Sequence, residues 1–310
     1  MQKILLTGST GFIGTALNAS FLTLTEFDVR KLIRKKNFKS NSHNCIDVGE
    51  LTGETDYYAA LQNIDVVVHL AAIAHDKHEL SANTFEKYKV CNIDATLSLA
   101  RQAASLGVKR FVFLSSIGVN GVNNDSCFTC FDEEHPTDDY AKSKYNAELG
   151  LKKIAEETGI EVVVIRPPLV YGKNAPGNFG ALLKIAKKNP PLPFGKINNQ
   201  RSFVALDNLI DLIITCINHP NAANQTFLVS DDMNISTSNL LKKLILAAGN
   251  KPCLLPVPVC FLKLIATIVG RKAAIEKLSN SLTVDIEYTK KTLNWKPPIT
   301  LDEGICRCFK

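Results

Sequence analysis

Three glycines within seven residues, Gly8-Ser9-Thr10-Gly11-Phe12-Ile13-Gly14, follow a short apolar run, Lys3–Leu6, and open an amphipathic stretch, Ile13–Thr25. A turn this tight between a buried strand and a helix needs residues without a Cβ, so it restricts the chain severely. The same rhythm continues through the first two-thirds of the sequence. Candidate strands are Asp28–Ile33, Asp65–Leu70, Arg110–Leu114, Glu161–Ile165 and Thr226–Val229, mostly unbroken Val/Ile/Leu/Phe runs, as expected of strands covered on both faces. Between them lie helix-length segments, Thr84–Leu106 and Tyr140–Thr158, each followed by a glycine (Gly107, Gly159) where a helix stop belongs. The alternation predicts an α/β protein with a doubly wound parallel sheet of Rossmann type, built from right-handed βαβ units.

After Arg166 the rhythm loosens, broken by Pro167-Pro168, by Asn189 to Pro193 and by Pro252 to Pro258. We expect residues 1–166, joined by about 201–230, to form the nucleotide-binding domain. Residues 167–200 and 231–310 are expected to form a smaller C-terminal substrate lobe. No repeat or low-complexity tract interrupts the chain.

Composition narrows the function classes. The 310 residues are 45% apolar and 21% charged, an ordinary globular balance. The net charge of +6 includes one dense basic run, Arg30, Lys31, Arg34, Lys35, Lys36 and Lys39. That is not the patch of a nucleic-acid binder and suits anionic small ligands better. Of nine cysteines, Cys127 and Cys130 make a C-x-x-C, while Cys306 and Cys308 have the wrong spacing to complete a zinc site. Free thiols in a reducing cytoplasm are expected. Ile4-Leu5-Leu6 runs straight into the glycine turn, so no secretory leader is expected. Leu254 to Val269 is apolar but contains Pro256, Pro258 and Lys263, too interrupted for a transmembrane span. A buried helix is expected there, with a membrane-facing patch as the other reading. His75, Asp76 and His78 have no third ligand at useful spacing; a rim loop is expected, and no metal.

The glycine turn has a chemical reading. It lets the backbone approach a pyrophosphate, and the helix N-terminus offers free N–H groups to the anion. Gly8, Thr10, Gly11, Phe12, Ile13 and Gly14 are therefore candidate contacts for NAD(P). The second strand ends without a carboxylate for the adenosine ribose; Arg34 stands there instead, with Lys35 beside it. An arginine accommodates a 2′-phosphate, which favours NADP(H) slightly over NAD. Asp47, with Val48, ends a third strand and is placed to accept from the adenine amino group, or equally to cap a helix. Ala71 and Ala72 lack bulk where the cofactor must pass, and Pro167 completes the set.

Tyr140-Ala141-Lys142-Ser143-Lys144 places a phenol and an ammonium four residues apart, on one helical face. A tyrosine with a pKa near ~10 is a poor base at neutral pH, but a nearby cation favours the phenolate. Lys144 is expected to lower the Tyr140 pKa and to hold the nicotinamide ribose. Tyr140 then exchanges a proton with an alcohol or ketone. The Arg110–Leu114 strand ends in Ser115-Ser116, at the sheet edge where ligands of open α/β folds bind.

This constellation resembles the extended short-chain dehydrogenases/reductases, the NAD-dependent epimerase/dehydratase family. The likeness runs over essentially the whole chain: Thr7 to Gly14, Leu114-Ser115-Ser116, Tyr140 to Lys144, Arg166 to Gly172, Arg201 to Asp207 and Leu293 to Pro297. It implies Ser116 as the third catalytic group beside Tyr140 and Lys144. It gives Asn92 a structural or water-relay place behind the site, and Trp295 a packing place. It implies a nucleotide-sugar substrate, with Asn178, Phe194 and Arg201 at its diphosphate and base. The competing readings are a helix N-cap for Asn178 and a surface ion pair for Arg201. A second arginine in Arg-x-Gly-Asp context is missing; Arg271 is the candidate replacement. Three reactions share this apparatus: a UDP-hexose or N-acetylhexosamine 4-epimerase of surface-polysaccharide synthesis, an NADPH-dependent UDP-4-keto-6-deoxy-hexosamine reductase, and a 4,6-dehydratase. The last is disfavoured, because Ile117-Gly118 stand where its acid–base pair belongs. A non-catalytic NADP sensor is a further reading, against which the retained Tyr140, Lys144 and Ser116 count. The resemblance also implies a homodimer paired through Thr84–Leu106 and Tyr140–Thr158.

Overall fold

The computed structural model describes residues 1–34, 44–74, 84–270 and 272–310. Its ten strands are β1 (Gln2–Thr7), β2 (Phe27–Ile33), β3 (Cys45–Asp47), β4 (Val66–His69), β5 (Arg110–Leu114), β6 (Glu161–Arg166), β7 (Leu169–Tyr171), β8 (Arg201–Ala205), β9 (Thr226–Leu228) and β10 (Asn234–Ile235). Seven of them form one parallel sheet in the order β3-β2-β1-β4-β5-β6-β9. The order reverses between β1 and β4, so their carboxyl ends flank the crevice in which doubly wound sheets bind ligands. Both loops expected at a cofactor leave from this point.

The helices are α1 (Phe12–Phe21), α2 (Tyr58–Leu61), α3 (Thr84–Tyr88), α4 (Ala95–Ser105), α5 (Asp139–Thr158), α6 (Gly177–Lys188), α7 (Leu206–Asn218), α8 (Thr237–Ala247), α9 (Val259–Ile268), α10 (Lys272–Ser279), α11 (Glu287–Leu293) and α12 (Leu301–Arg307). The period of two along each strand splits the sheet's apolar residues cleanly. Ile4, Leu6, Val66, Val68, Val112 and Ile165 pack with Leu17 and Phe21 of α1 and Leu209 and Ile213 of α7. Leu5, Val67, Phe111 and Phe113 face the other way, onto Leu99 and Ala103 of α4 and Ala147, Leu151 and Ile154 of α5. Covered on both faces, these strands had to read as continuous apolar runs.

A third cluster joins Phe179 and Leu183 of α6, Leu240 and Leu244 of α8 and Ile305 of α12 under a three-stranded sheet, β10-β8-β7. The stretch from about 201 to 230 divides between the two sheets. β8 pairs with β7 and β10, whereas α7 and β9 belong to the large sheet.

Two local departures from expectation stand out. The Thr84–Leu106 helix is interrupted by a π-helical turn, Lys89–Asp94, an insertion frequent at functional sites. Helix α1 stops at Phe21, where Thr23 and Leu24 N–H groups bond back three residues and turn the chain toward β2. Gly107 and Gly159 do adopt positive φ at the predicted stops.

The Leu254–Val269 stretch corrects our expectation of a buried helix. Only Leu262 and Ala266 of α9 are buried; Phe261, Leu264, Ile265 and Ile268 are exposed. Among the described residues no helix is long and apolar enough to cross a membrane.

Candidate active site

The glycine turn is sterically closed to side chains. Gly8 has φ +68°, and a Cβ there would lie 2.7 Å from the Ala71 amide nitrogen. A Cβ on Gly14 would meet the Gly8 carbonyl oxygen at 2.1 Å, so the helix and strand approach as closely as glycine allows. The Gly11 N–H donates to Gly8 O at 3.0 Å, and Gly11 caps α1 without any side-chain bond. The first-turn N–H groups of α1 are thus left to an anion, beside exposed Thr10 and half-buried Phe12 and Ile13. This cradle fits a dinucleotide pyrophosphate.

A cleft of about 510 Å³ lies beyond the ends of β2, β3 and β4, lined by Arg34, Glu50, Leu51, Thr52, Ile73 and Cys91 among others. Arg34 is exposed on its rim; Lys35 lies outside the described residues. The cleft is not uniformly basic, since Glu50 and Glu86 also line it. Asp47 accepts from the Gly49 N–H at 3.0 Å and so caps a turn rather than a helix, with half-buried Val48 next to it.

Helix α5 begins where Asp138 accepts from the Ala141 N–H at 2.7 Å, which sets Tyr140 and Lys144 on the sheet-facing side. Lys144 is buried. Its ammonium donates to Leu114 O at 2.8 Å and sits 4.5 Å above the Phe113 ring. Burial lowers its pKa to about 8, against an opposing pull from Glu148. Tyr140 packs edge-on to Tyr88, with ring centroids 6.2 Å apart. Burial, then Asp138 and Tyr88, raise its pKa. The polypeptide alone therefore does not lower the phenol as the tyrosine–lysine spacing led us to expect. Lys144 donates to a carbonyl, and desolvation is the largest influence on the phenol.

The two adjacent serines are told apart by their partners. Buried Ser115 donates to the Glu148 carboxylate. Ser116 is half-buried at the strand end; its oxygen accepts from the Gly118 N–H at 3.1 Å, which fixes the oxygen and leaves the O–H to donate. Behind them, Arg166 is buried and holds Glu148 through Nε and Nη2, at 3.1 and 2.5 Å. Its other donors reach Asn120 and Glu134. These carboxylates hold the guanidinium pKa above its ordinary value despite burial. Pro167 closes the arrangement: its carbonyl accepts from the Ile117 N–H at 3.0 Å, tying the Ser116 turn to the end of β6.

In the second lobe, Asn178 is exposed in the first turn of α6, whose N-cap is Pro176, so the N-cap reading does not hold. Phe194 is half-buried, and its carbonyl accepts from Ser238 Oγ at 2.5 Å. Arg201 donates to Lys277 O at 2.5 Å and lies over Phe203. No carboxylate pairs with it among the described residues, against the ion-pair reading. Arg271 and the His75–His78 loop lie outside the described residues. Trp295 is buried and donates to Asp211 Oδ2 at 2.7 Å.

Residues 4–235 match the model of the NAD dependent epimerase/dehydratase family. The UDP-glucose 4-epimerase of Vibrio cholerae is 44% identical over 306 residues, 98% of this chain and 93% of that protein. The chain belongs to the NAD-dependent epimerase/dehydratase family. It is thus an NAD(P)-dependent enzyme of the extended short-chain dehydrogenase/reductase type. A further relative is the N-acetyl-alpha-D-glucosaminyl-diphospho-ditrans,octacis-undecaprenol 4-epimerase of Escherichia coli O157:H7, 26% identical over 100% of this chain and 95% of that protein. In fold, the chain is similar to a UDP-glucuronic acid 4-epimerase from Bacillus cereus solved in complex with NAD. The TM-score is 0.80 at 21% identity, over 99% of this chain and 96% of that one.

In this epimerase/dehydratase family chain, a buried polar chain that our sequence reading did not single out supports the cofactor-side loops. Thr96 donates to Asn92 O at 2.8 Å and therefore accepts from His69 Nε2 at 2.9 Å. His69 Nδ1 accepts from Thr7 Oγ1 at 2.9 Å, and that oxygen accepts from the Ala71 N–H at 3.2 Å. Burial, then the Lys144 charge, depress the His69 pKa to about 3, which keeps the ring neutral and this tautomer fixed. Asn92, from the π-helical turn, clamps both backbone groups of Ile73 and donates to Ser143 Oγ, a structural role. The signal was present: a histidine closing the run Val66-Val67-Val68 has no apolar reason to be there.

Proposed function

We propose that this enzyme is a UDP-sugar 4-epimerase, acting at C4 of a hexose or N-acetylhexosamine in the supply of surface-polysaccharide precursors. The observation that carries the reading is the 44% identity to a UDP-glucose 4-epimerase along 98% of the chain. A bound nicotinamide supplies the hydride acceptor and donor. Tyr140 takes the proton of the sugar 4-hydroxyl and returns it when the carbonyl is reduced from the other face. Ser116 donates to the same oxygen and orients it. Lys144 holds the ribose hydroxyls and supplies positive charge beside the phenol, while Asn178, Phe194 and Arg201 receive the nucleotide diphosphate. Dehydration is disfavoured, because Ile117 is buried in a short 3₁₀ turn with Gly118, and neither residue carries an acid or base.

A 4-keto reductase is the second reading, favoured by Arg34 on the adenosine-side rim, since an exchangeable NADPH suits a single transfer. One experiment separates the two. The purified enzyme is incubated with UDP-hexoses and with UDP-4-keto sugars, and the copurifying nucleotide is identified. Conversion of a UDP-hexose without added cofactor supports the epimerase; stoichiometric loss of NADPH with a keto sugar replaces it by the reductase. A homodimer through α3–α4 and α5, in the cytoplasm, completes the reading; a light-scattering mass of one chain would remove the dimer.

A further inference from the structure

The exposed face of α9 is apolar. Phe261, Leu264, Ile265 and Ile268 are 57%, 59%, 56% and 78% exposed. Their spacing of i, i+3, i+4 and i+7 makes one stripe of a helix, yet the stripe points away from the protein, opposite buried Leu262 and Ala266. Exposed Leu255 and Val269 extend it at both ends. A contiguous apolar face of this kind marks an interaction site rather than chance.

Charge decides the partner. From Leu254 to Lys277 the only carboxylate is Glu276, 3.7 Å from Lys272 on α10. Lys263 flanks the stripe and Lys277 stands on the neighbouring α10, both exposed. A second copy on this face through a two-fold axis would set lysines against lysines with no acidic rim to meet them. An apolar stripe with a cationic flank, whose one carboxylate within residues 254–277 is paired with Lys272, is instead the pattern of a helix lying in a membrane interface. At ten residues, α9 is too short to cross a bilayer.

We infer that α9 and α10 form a docking surface for bilayers rich in anionic lipid, with the Phe261, Leu264, Ile265 and Ile268 side chains in the headgroup region. The surface is tied to the second lobe on both sides. Before α9, the Leu255 carbonyl accepts from the Gly195 N–H at 2.9 Å. After it, Lys277 O accepts from Arg201. Docking therefore presents the Phe194 and Arg201 end of the lobe to the membrane surface, whichever sugar the enzyme uses.

The test is co-sedimentation of the full-length enzyme with phosphatidylcholine vesicles and with vesicles containing phosphatidylglycerol. The enzyme is expected to bind the anionic vesicles and release in high salt. Phe261→Ser/Ile265→Ser/Ile268→Ser should weaken binding at least tenfold, and Lys263→Glu/Lys277→Glu at least about twentyfold, each lysine being worth roughly fivefold near an anionic surface. Activity on soluble substrate should be unchanged in both. Phe261→Trp gives an independent reading: the one native tryptophan, Trp295, is buried, so a blue shift on adding anionic vesicles reports insertion at position 261. No binding and no shift with either vesicle overturns the proposal. So does a native oligomer that the triple serine variant dissociates, because a second copy then covers the face.

Discussion

The Lys144 ammonium donates to the carbonyl of Leu114 at 2.8 Å, stitching α5 to the strand whose next two residues are Ser115 and Ser116. That bond places the lysine at the carboxyl edge of the sheet and buries it there. Its pKa falls to about 8. The group is protonated below that value, so its charge, and the help that charge gives the phenol, is lost as pH rises through it. We predict that kcat/KM falls on an alkaline limb near pH 8, and that Lys144→Met lowers kcat at least a hundredfold with no such limb. A pH–rate profile of the two proteins checks this.

The neighbouring serines should separate in kind. Ser116→Ala removes a donor to the substrate oxygen and the cap on the Gly118 N–H, and is expected to lower kcat ten- to a hundredfold at a stability cost of about 1 kcal/mol. Ser115→Ala deprives the buried Glu148 carboxylate of a donor and should cost about 1–2 kcal/mol of stability, with kcat within a few-fold of the parent. Denaturant titration beside steady-state kinetics distinguishes the two effects.

His69 is a stability group with a definite sign. Its folded pKa, about 3, lies below the ordinary 6.5. Between these values the unfolded chain binds a proton that the folded chain refuses. The stability it contributes is complete above pH 6.5 and declines as pH falls, by about 2 kcal/mol at pH 5. His69→Gln should flatten that acid slope in urea titrations at pH 7 and pH 5.

Arg34 sets the cofactor balance, if it meets the adenosine ribose as we propose. Arg34→Ala should weaken NADP(H) at least tenfold and change NAD(H) less than about threefold, read by calorimetric binding of both nucleotides. Equal losses would assign Arg34 to the rim of the cleft alone, where Glu50 and Glu86 already share the lining.

The nucleotide-binding half was legible because its signals are local. The Gly8–Gly14 turn is dictated by sterics within one loop, and strands covered on both faces leave no polar alternation to misread. Tyr140 and Lys144 were singled out by helical spacing together with their place after the serine-tipped strand and the glycine turn. What escaped depended on partners distant in sequence. The carbonyl that takes the Lys144 hydrogen bond lies 30 residues earlier, and the π-helical turn that aims Asn92 at Ile73 has no compositional mark. The stripe on α9 shows why periodicity has limits: spacing places Phe261, Leu264, Ile265 and Ile268 on one face, but which way that face points is decided by the lobe it rests on.

The account turns on the phenol at position 140 acting beside the nicotinamide, and Tyr140→Phe measures it most directly. Single-turnover kinetics with a UDP-hexose should show hydride transfer slowed at least a hundredfold, with cofactor affinity within about threefold of the parent. A variant that turns over at the parent's rate would contradict the assignment.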